Sequence, residues 1–303
     1  MVSAVTRRSI RRVPPIVLLM IALAAVMHAA WNVLLKASGD PLVASGRAMI
    51  AGTAVAAPFA VAAWFLADRP PIPPEALVLG VVSGGIEVVY LILLTGAYRR
   101  GELSVVYPLA RGTAPLLTIA TGVGLLGERL GPAGALGVAA LVAGLLVVQR
   151  PWRYLRGGPL VEKAVPWALA CGVSIAAYST IDRVGARLVA PWLFASILFP
   201  VIAAGMAVVI MVARRNGNAV PAPPWREATF AGLLALGTYV LILAAFAIAP
   251  LSVVSPLRES AVVLASAWGA VRLREASDRR DAGRRIGAAA LVVLGAILLT
   301  VGS

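Results

Sequence analysis

The amino-acid sequence predicts an all-α protein that crosses the membrane with ten helices. Three observations predict this class. Of the 303 residues, 60% are hydrophobic and only 13% are charged, which is far from the composition of a soluble globular domain. Apolar stretches of about 20 residues, long enough to cross the hydrocarbon core as helices, recur along the whole chain. The second half of the chain also repeats short motifs of the first half.

Ten apolar stretches fit a membrane-spanning helix, and charged or turn-forming residues separate them. They comprise residues 16–35, 43–66, 77–98, 103–126, 131–149, 164–181, 190–213, 228–249, 251–271 and 286–301. The loops between them are too short for a separate soluble domain. The chain therefore divides into four parts: a basic N-terminal tail (1–15), a first repeat of five helices (16–150), a linker (151–163) and a second repeat of five helices (164–303).

The sequence Leu-Ser-Val-Val-x-Pro-Leu occurs at residues 103–109 and again at 251–257, 148 positions later. Glu128 matches Glu275 at nearly the same offset. Because each repeat contains an odd number of helices, the second repeat enters the membrane from the opposite side. This predicts two inverted repeats around a central cavity, an arrangement found in secondary transporters. Chance matching of apolar helices is the alternative, but the matched positions include Pro, Ser and Glu.

The formal net charge of +14 would suit a nucleic-acid-binding protein. Most arginines, however, lie between the apolar stretches, where they are typical of anchors at the surface of a lipid bilayer, so we expect no nucleic-acid partner. The single cysteine, Cys171, cannot form an intrachain disulfide. The chain has one histidine and lacks Gly-x-Ser-x-Gly and His-Glu-x-x-His motifs, so we expect no metal, no cofactor and no catalytic residues.

Most charged residues lie at the ends of the apolar stretches, and the few ionisable residues placed deeper are His28, Glu87, Arg111, Arg258 and Glu259. A charge at the bilayer centre is costly and usually faces a cavity, so we expect these residues to contribute to a substrate site. Glu87 has three interpretations: an ion pair with an arginine, a titrating group that couples transport to protons, or a hydrogen-bonded acid.

His28, Asn32 and Lys36 lie on one side of the first helix because they are spaced by four residues. This polar stripe either lines the cavity or bonds a neighbouring helix, with Lys36 reaching the membrane surface. Aromatic residues in or near the repeat motifs are expected to line the pocket as well: Trp31, Tyr90, Tyr107, Tyr178 and Tyr239.

Pro108 and Pro256 occupy the same position in the two repeats, and each removes a helical hydrogen bond. We expect helix breaks there, next to the binding region; the alternative is that both prolines only shape packing. Arg111 aligns with Glu259, which predicts a salt bridge between the repeats. Arg258 would then be the spare cation, available to bind a substrate carboxylate or phosphate.

Residues 126–132 read Leu-Gly-Glu-Arg-Leu-Gly-Pro, with Pro108 and Pro115 upstream. Residues 28–32 read His-Ala-Ala-Trp-Asn, and residues 107–112 read Tyr-Pro-Leu-Ala-Arg-Gly. Together these motifs resemble the EamA-type domain of the drug/metabolite transporter superfamily, and the resemblance covers nearly the whole chain. They are similar to motifs of bacterial members of that superfamily, whose amino-acid exporters have ten helices around a central cavity.

The resemblance implies a secondary transporter that exports small polar metabolites, amino acids or related compounds first among them, across the bacterial inner membrane by alternating access. A single copy of the chain is expected to suffice. A carrier of drugs or phosphosugar-like compounds is the alternative, followed by a membrane scaffold or a membrane-embedded enzyme. The implied orientation places both termini in the cytoplasm, whereas the positive charge of the loops favours the opposite orientation.

Overall fold

The computed structural model describes residues 13–36, 40–100, 103–150, 159–215, 222–272 and 278–301, and these ranges form ten α-helices. The helices are α1 (Pro15–Lys36), α2 (Pro41–Leu66), α3 (Pro74–Tyr98), α4 (Leu103–Gly124), α5 (Pro132–Gln149), α6 (Pro159–Leu188), α7 (Pro191–Arg215), α8 (Trp225–Ile248), α9 (Leu251–Arg272) and α10 (Arg279–Val301).

Many of these helices begin with proline, which suits the first helical position because its missing N–H has no intrahelical partner there. The start of α2 shows the local chemistry in full. Asp40 Oδ1 accepts hydrogen bonds from the backbone N–H groups of Leu42, at 2.9 Å, and Val43, at 3.1 Å. The carboxylate therefore satisfies two of the donors that a helix leaves unpaired at its N-terminus.

Seven helices within the described ranges are long and apolar enough to cross a membrane: α2, α3, α5, α6, α7, α8 and α10. Helix α1 carries a shorter apolar stretch, Pro15–Trp31. The all-helical fold class is confirmed, and the chain is a multi-pass membrane protein by the length and composition of these helices.

Two helices extend furthest beyond the apolar stretches that predicted them. Helix α6 continues to Leu188 rather than ending at residue 181, and α10 begins at Arg279 rather than at residue 286. The first turn of α10 is charged but locally satisfied: Asp278 Oδ1 accepts the Asp281 N–H at 2.7 Å, and Asp281 pairs with Arg285 at 2.9 Å. Ion pairs four residues apart stabilise a helix outside the apolar core, so apolar length alone underestimates it.

The helices form two compact units, which we call unit 1 and unit 2. Unit 1 comprises Met1–Ala22, Gly96–Ala176 and Ile248–Ser303, and unit 2 comprises Leu23–Thr95 and Ala177–Ala247. Unit 1 therefore contains α4, α5, α9 and α10, and unit 2 contains α2, α7 and most of α3 and α8. Each unit takes helices from both halves of the chain, so neither unit coincides with one sequence repeat.

In unit 1, helices that correspond in the two repeats pack against each other and run antiparallel. A Cβ built on Gly137 of α5 would lie 2.9 Å from the Gly295 carbonyl oxygen of α10, and a Cβ on Gly144 would lie 2.8 Å from the Ala288 carbonyl oxygen. Residue numbers along α10 thus decrease as those along α5 increase, which shows that the two helices run antiparallel. Helices α4 and α9 are also antiparallel, because position 111 contacts position 259 and position 122 contacts position 252.

In unit 2, α2 packs against α7, its counterpart in the second repeat. Helix α3 runs parallel to α7, because Gly84 of α3 approaches Val201 and Gly205 of α7 approaches Val88. Helices α2 and α8 touch through backbone: a Cβ on Gly52 would lie 2.8 Å from the Gly232 carbonyl carbon. Small residues allow this close approach, which is how helices associate within a membrane.

We predict that Gly137→Ala and Gly144→Ala each destabilise the protein by about 1–3 kcal/mol, because the added methyl group meets backbone of α10 that cannot rotate away. Thermal unfolding of the purified protein in detergent measures the effect. Gly134→Ala is the matched control in the same helix, since its Cβ would lie 3.7 Å from the nearest atom. Equal stability of all three variants would contradict the close α5–α10 contact.

Candidate functional site

A charged cluster joins α4 and α9 in unit 1. Arg111 Nη1 of α4 donates to Glu259 Oε1 of α9 at 2.7 Å, and the Glu259 side chain is only 2% exposed. The predicted salt bridge between Arg111 and Glu259 is therefore confirmed. A buried carboxylate requires such a partner, because an uncompensated charge in an apolar surrounding is strongly unfavourable.

Arg258 belongs to the same cluster. Its Nε lies 3.1 Å from Glu259 Oε1, so the two guanidinium groups share one carboxylate oxygen. The expectation that Arg258 is a spare cation is wrong in this respect. The offset between the two repeats pairs Arg111 with Glu259. It does not show that the Arg258 side chain turns towards Glu259, the next residue in the chain.

Gln149, the last residue of α5, is a buried polar group that sequence reasoning missed. It is 4% exposed, and neither its Oε1 nor its Nε2 has a hydrogen-bond partner among the described residues. A Cβ built on Gly112 of α4 would lie 2.8 Å from Gln149 Oε1. The glycine that follows Arg111 thus leaves room for an amide whose hydrogen-bonding groups are available, and burying such groups unpaired is costly.

A second polar cluster lies in unit 2 and is centred on Asp182 of α6. The Asp182 carboxylate is 1% exposed and accepts hydrogen bonds from Ser83 Oγ and Tyr239 Oη, each at 2.5 Å. Its neighbour Arg183 is 4% exposed and donates to the Phe246 carbonyl oxygen. Both residues were missed because the apolar stretch was ended at residue 181, which made them resemble charges at a membrane surface. The spacing of four residues between Tyr178 and Asp182 is the signal that could have found them.

Several predicted site residues meet around this carboxylate. The Tyr178 ring lies 5.9 Å from the Tyr90 ring and 6.4 Å from the Tyr239 ring, measured between centroids. Glu87 is 7% exposed in α3 and interacts electrostatically with the Tyr239 hydroxyl. Two carboxylates and three phenols of unit 2 therefore form one polar region, which we call the acidic cluster: Glu87, Asp182, Tyr90, Tyr178 and Tyr239.

The polar stripe of α1 is described only in part. Trp31 Nε1 donates to His28 Nδ1 at 3.0 Å, a bond between residues one helical turn apart. The side chains of Asn32, Lys36 and Tyr107 lie outside the described residues. The roles of these residues in substrate binding stay predictions.

The sequence profile of the EamA-like transporter family matches residues 15–150 and 162–301, one segment in each half of the chain. The chain belongs to the EamA-like transporter family. A crystal structure of a protein with 21% sequence identity superposes with a TM-score of 0.71, over 95% of this chain and 97% of that chain, and shows the same fold. No curated protein matches the chain.

The Gly-Glu-Arg motif of this EamA-like protein has a structural role. Glu128, which follows α4, accepts hydrogen bonds from the backbone N–H groups of Leu251, at 2.6 Å, and Ser252, at 2.9 Å. The Ser252 hydroxyl donates to the same carboxylate at 2.7 Å. Glu128 thus caps the N-terminus of α9, where a negative charge is also favoured by the helix dipole. The cap fixes the start of the helix that carries Arg258 and Glu259.

Helices α4 and α9 continue through positions 108 and 256 without interruption. The helix assignment shows no interruption at either proline, whereas a bend there and a role next to the binding region stay predictions. Each proline is the sixth residue of its helix, so it removes one hydrogen bond near the N-terminus while the remaining turns persist.

Metal binding was not expected, and within the described ranges no group of three or more His, Cys, Asp or Glu side chains is arranged to hold a metal ion.

We predict that Glu128→Ala lowers the stability of the protein by about 1–2 kcal/mol, because two backbone donors of α9 lose their acceptor. Glu128→Gln retains one acceptor oxygen and should lose less. Glu227→Ala is the control, because Glu227 also lies in the first turn of a helix but is exposed. Thermal unfolding in detergent measures the effect. If Glu128→Ala and Glu227→Ala unfold at the same temperature, the capping role is ruled out.

Proposed function

We propose that this EamA-like protein is a secondary active transporter that exports small polar metabolites, amino acids or related compounds, by alternating access. Membership of the family supports transport of small molecules. The substrate class, the direction of transport, the action of a single copy and a location in the bacterial inner membrane are parts of the proposal. The predicted central cavity also stays a prediction.

The proposal includes ten membrane-spanning helices arranged as two inverted repeats. Antiparallel packing of corresponding helices supports it, since α4 meets α9 and α5 meets α10 in opposite directions. Two copies that enter a membrane from opposite sides produce this relation for every pair of counterparts. Copies with the same topology would place counterpart helices parallel.

Recognition of a carboxylate is supported by one observation, the cluster of Arg111, Arg258 and Glu259. The unpartnered Gln149 side chain lies against Gly112, the residue after Arg111. Two guanidinium groups that already bind one carboxylate are chemically matched to a second. A substrate carboxylate can replace Glu259 at Arg258, whose contact is the longer of the two, and the Gln149 amide can donate to it. Exchange of one carboxylate for another avoids the cost of leaving either arginine uncompensated.

The acidic cluster of unit 2, taken by itself, supports binding of an ammonium group or of a coupled proton. Glu87 and Asp182 are both buried, and their neighbours are phenol and hydroxyl groups. An ammonium group is a suitable ligand for such oxygen atoms, and tyrosine faces also attract cations. Alternatively, one of the two carboxylates takes up a proton when the substrate leaves, which would couple export to a proton gradient.

Counterflow in liposomes tests the proposed substrate class. Purified protein reconstituted with an unlabelled amino-acid pool should accumulate labelled amino acid, and free amino acids should compete with it more strongly than their amides. Competition by the amides equal to that by the acids would overturn carboxylate recognition. Competition by phosphate esters alone would favour the phosphosugar-like alternative, because the same arginines bind phosphate.

We predict that Gln149→Leu reduces the affinity for a carboxylate substrate by about 1–2 kcal/mol, because a donor to the carboxylate is lost. The same variant should unfold at an equal or higher temperature, because an unpaired amide is replaced by an apolar side chain of similar size. Lower affinity together with unchanged or higher stability distinguishes a residue that binds the substrate from a residue that only packs. A variant that loses stability but keeps wild-type substrate affinity would show that Gln149 only packs.

We predict that Glu87→Gln or Asp182→Asn abolishes uphill transport driven by a pH gradient but leaves counterflow intact. Removing the titrating carboxylate removes the proton step, whereas exchange of substrate needs no net proton movement. Glu75→Gln, at an exposed position of the same helix as Glu87, is the control. Counterflow also reports that each variant is folded. Wild-type uphill transport in both variants would exclude the acidic cluster from coupling.

A further inference from the structure

Unit 2 contains a pocket of about 370 Å³ that is separate from the acidic cluster. Arginines form one part of its wall: Arg47 of α2 and Arg214 and Arg215, which end α7. Apolar side chains form the remainder: Ile50, Ala207, Ile210, Met211 and Trp225. The pocket therefore combines three positive charges with an apolar surface and has no acidic lining residue.

The arginines lie at one end of the unit 2 helices. Helix α7 ends at Arg215, α8 begins at Trp225, and the segment between them, residues 216–224, carries no charged residue. Arg47 lies inside α2 rather than at its first residues. Its side chain nevertheless reaches the connection, because its Nη1 donates to the Pro223 carbonyl oxygen at 2.6 Å. The Arg47 guanidinium therefore reaches the level of the connection between α7 and α8, as arginines near helix ends do at a membrane surface.

Arg47 is held in place without an acidic partner among its described contacts. Its guanidinium carbon lies 4.6 Å from the centroid of the Trp225 ring, a cation–π contact. Its Nε is buried and has no hydrogen-bond partner among the described residues. A preorganised guanidinium with an available donor is suited to an anion that carries several acceptor oxygens, such as a phosphate.

The apolar part of the pocket decides what kind of molecule carries the phosphate. Ile50, Ile210 and Met211 belong to helices that are long and apolar enough to cross a membrane, so this wall faces the depth of acyl chains. Met211 and Trp225 are exposed rather than covered by protein. A free phosphate ion makes no favourable contact with an apolar wall. A phospholipid, in contrast, places its headgroup at the arginines and its acyl chain along the apolar side chains.

We propose that this pocket is a binding site for an anionic phospholipid, with the lipid phosphate bound by Arg47, Arg214 and Arg215. Basic pockets between membrane helices, rich in arginine near the surface, bind anionic lipid headgroups in this way. The site is independent of the transported substrate, because none of its lining residues belongs to the acidic cluster or to the Arg111 cluster.

Native mass spectrometry of the purified full-length protein, titrated with phosphatidylglycerol or phosphatidylcholine, tests the proposal. We expect phosphatidylglycerol to bind more tightly than phosphatidylcholine. The double variant Arg214→Gln with Arg215→Gln should weaken phosphatidylglycerol binding by roughly 10- to 30-fold, on the scale expected for two arginines at a membrane surface. Arg279→Gln with Arg280→Gln, which removes two exposed arginines from the first turn of α10, is the control and should bind as the wild type does.

Three results would overturn the proposal. Equal loss of lipid in both double variants would mean that only the total charge matters. Equal binding of the two lipids would exclude headgroup recognition. Displacement of phosphatidylglycerol by millimolar inorganic phosphate, which lacks an acyl chain, would identify the pocket as a site for a soluble anion. Thermal unfolding of each variant in detergent without lipid confirms that folding is retained.

Discussion

A charge buried among apolar side chains has to be neutralised by its neighbours, because it has lost the solvation that water provides. The packing of α4 against α9 depends on this requirement. Glu259 Oε1 lies 2.7 Å from Arg111 Nη1 and 3.1 Å from Arg258 Nε, so a single oxygen atom contacts one guanidinium group of each helix. Glu128 fixes the start of α9 through its backbone N–H groups. The two interactions thus connect α9 to α4 and to the segment that follows α4.

Divergence between the repeats makes the ion pair possible. When two identical segments pack about a twofold axis, equivalent positions near the axis carry the same residue, and a charge would face its own copy. Arg111 and Glu259 occupy equivalent positions with opposite charge, which turns repulsion into attraction. Gly137 and Gly295, which meet across the α5–α10 contact, are not equivalent positions of the repeats, so this constraint does not apply to them. Charged positions near such an axis are thus the ones where the repeats have to differ.

The sequence predicted the fold more completely than the site. Apolar length determines where helices lie, so each predicted stretch corresponds to a helix, and the offset of the repeats was enough to pair Arg111 with Glu259. The helix ends were less predictable, because ion pairs such as Asp281–Arg285 extend a helix past its apolar part. The same error concealed Asp182 and Arg183. Gln149 was missed for a different reason: a polar residue at the end of an apolar stretch usually faces water, and only the approach of Gly112 shows that it is buried.

The proposed lipid site changes how the charge bias of the loops should be interpreted. Arginines near helix ends are counted as indicators of the cytoplasmic side because they are retained there during insertion. Arg214 and Arg215 have a second reason to be positive if they bind a lipid phosphate, and that reason operates in whichever leaflet contains anionic lipid. Their positive charge is then explained by the ligand of the pocket, and it is a weaker indicator of which side of the membrane they lie on. The orientation implied by the EamA-like family and the positive charge at the end of α7 are compatible on this account.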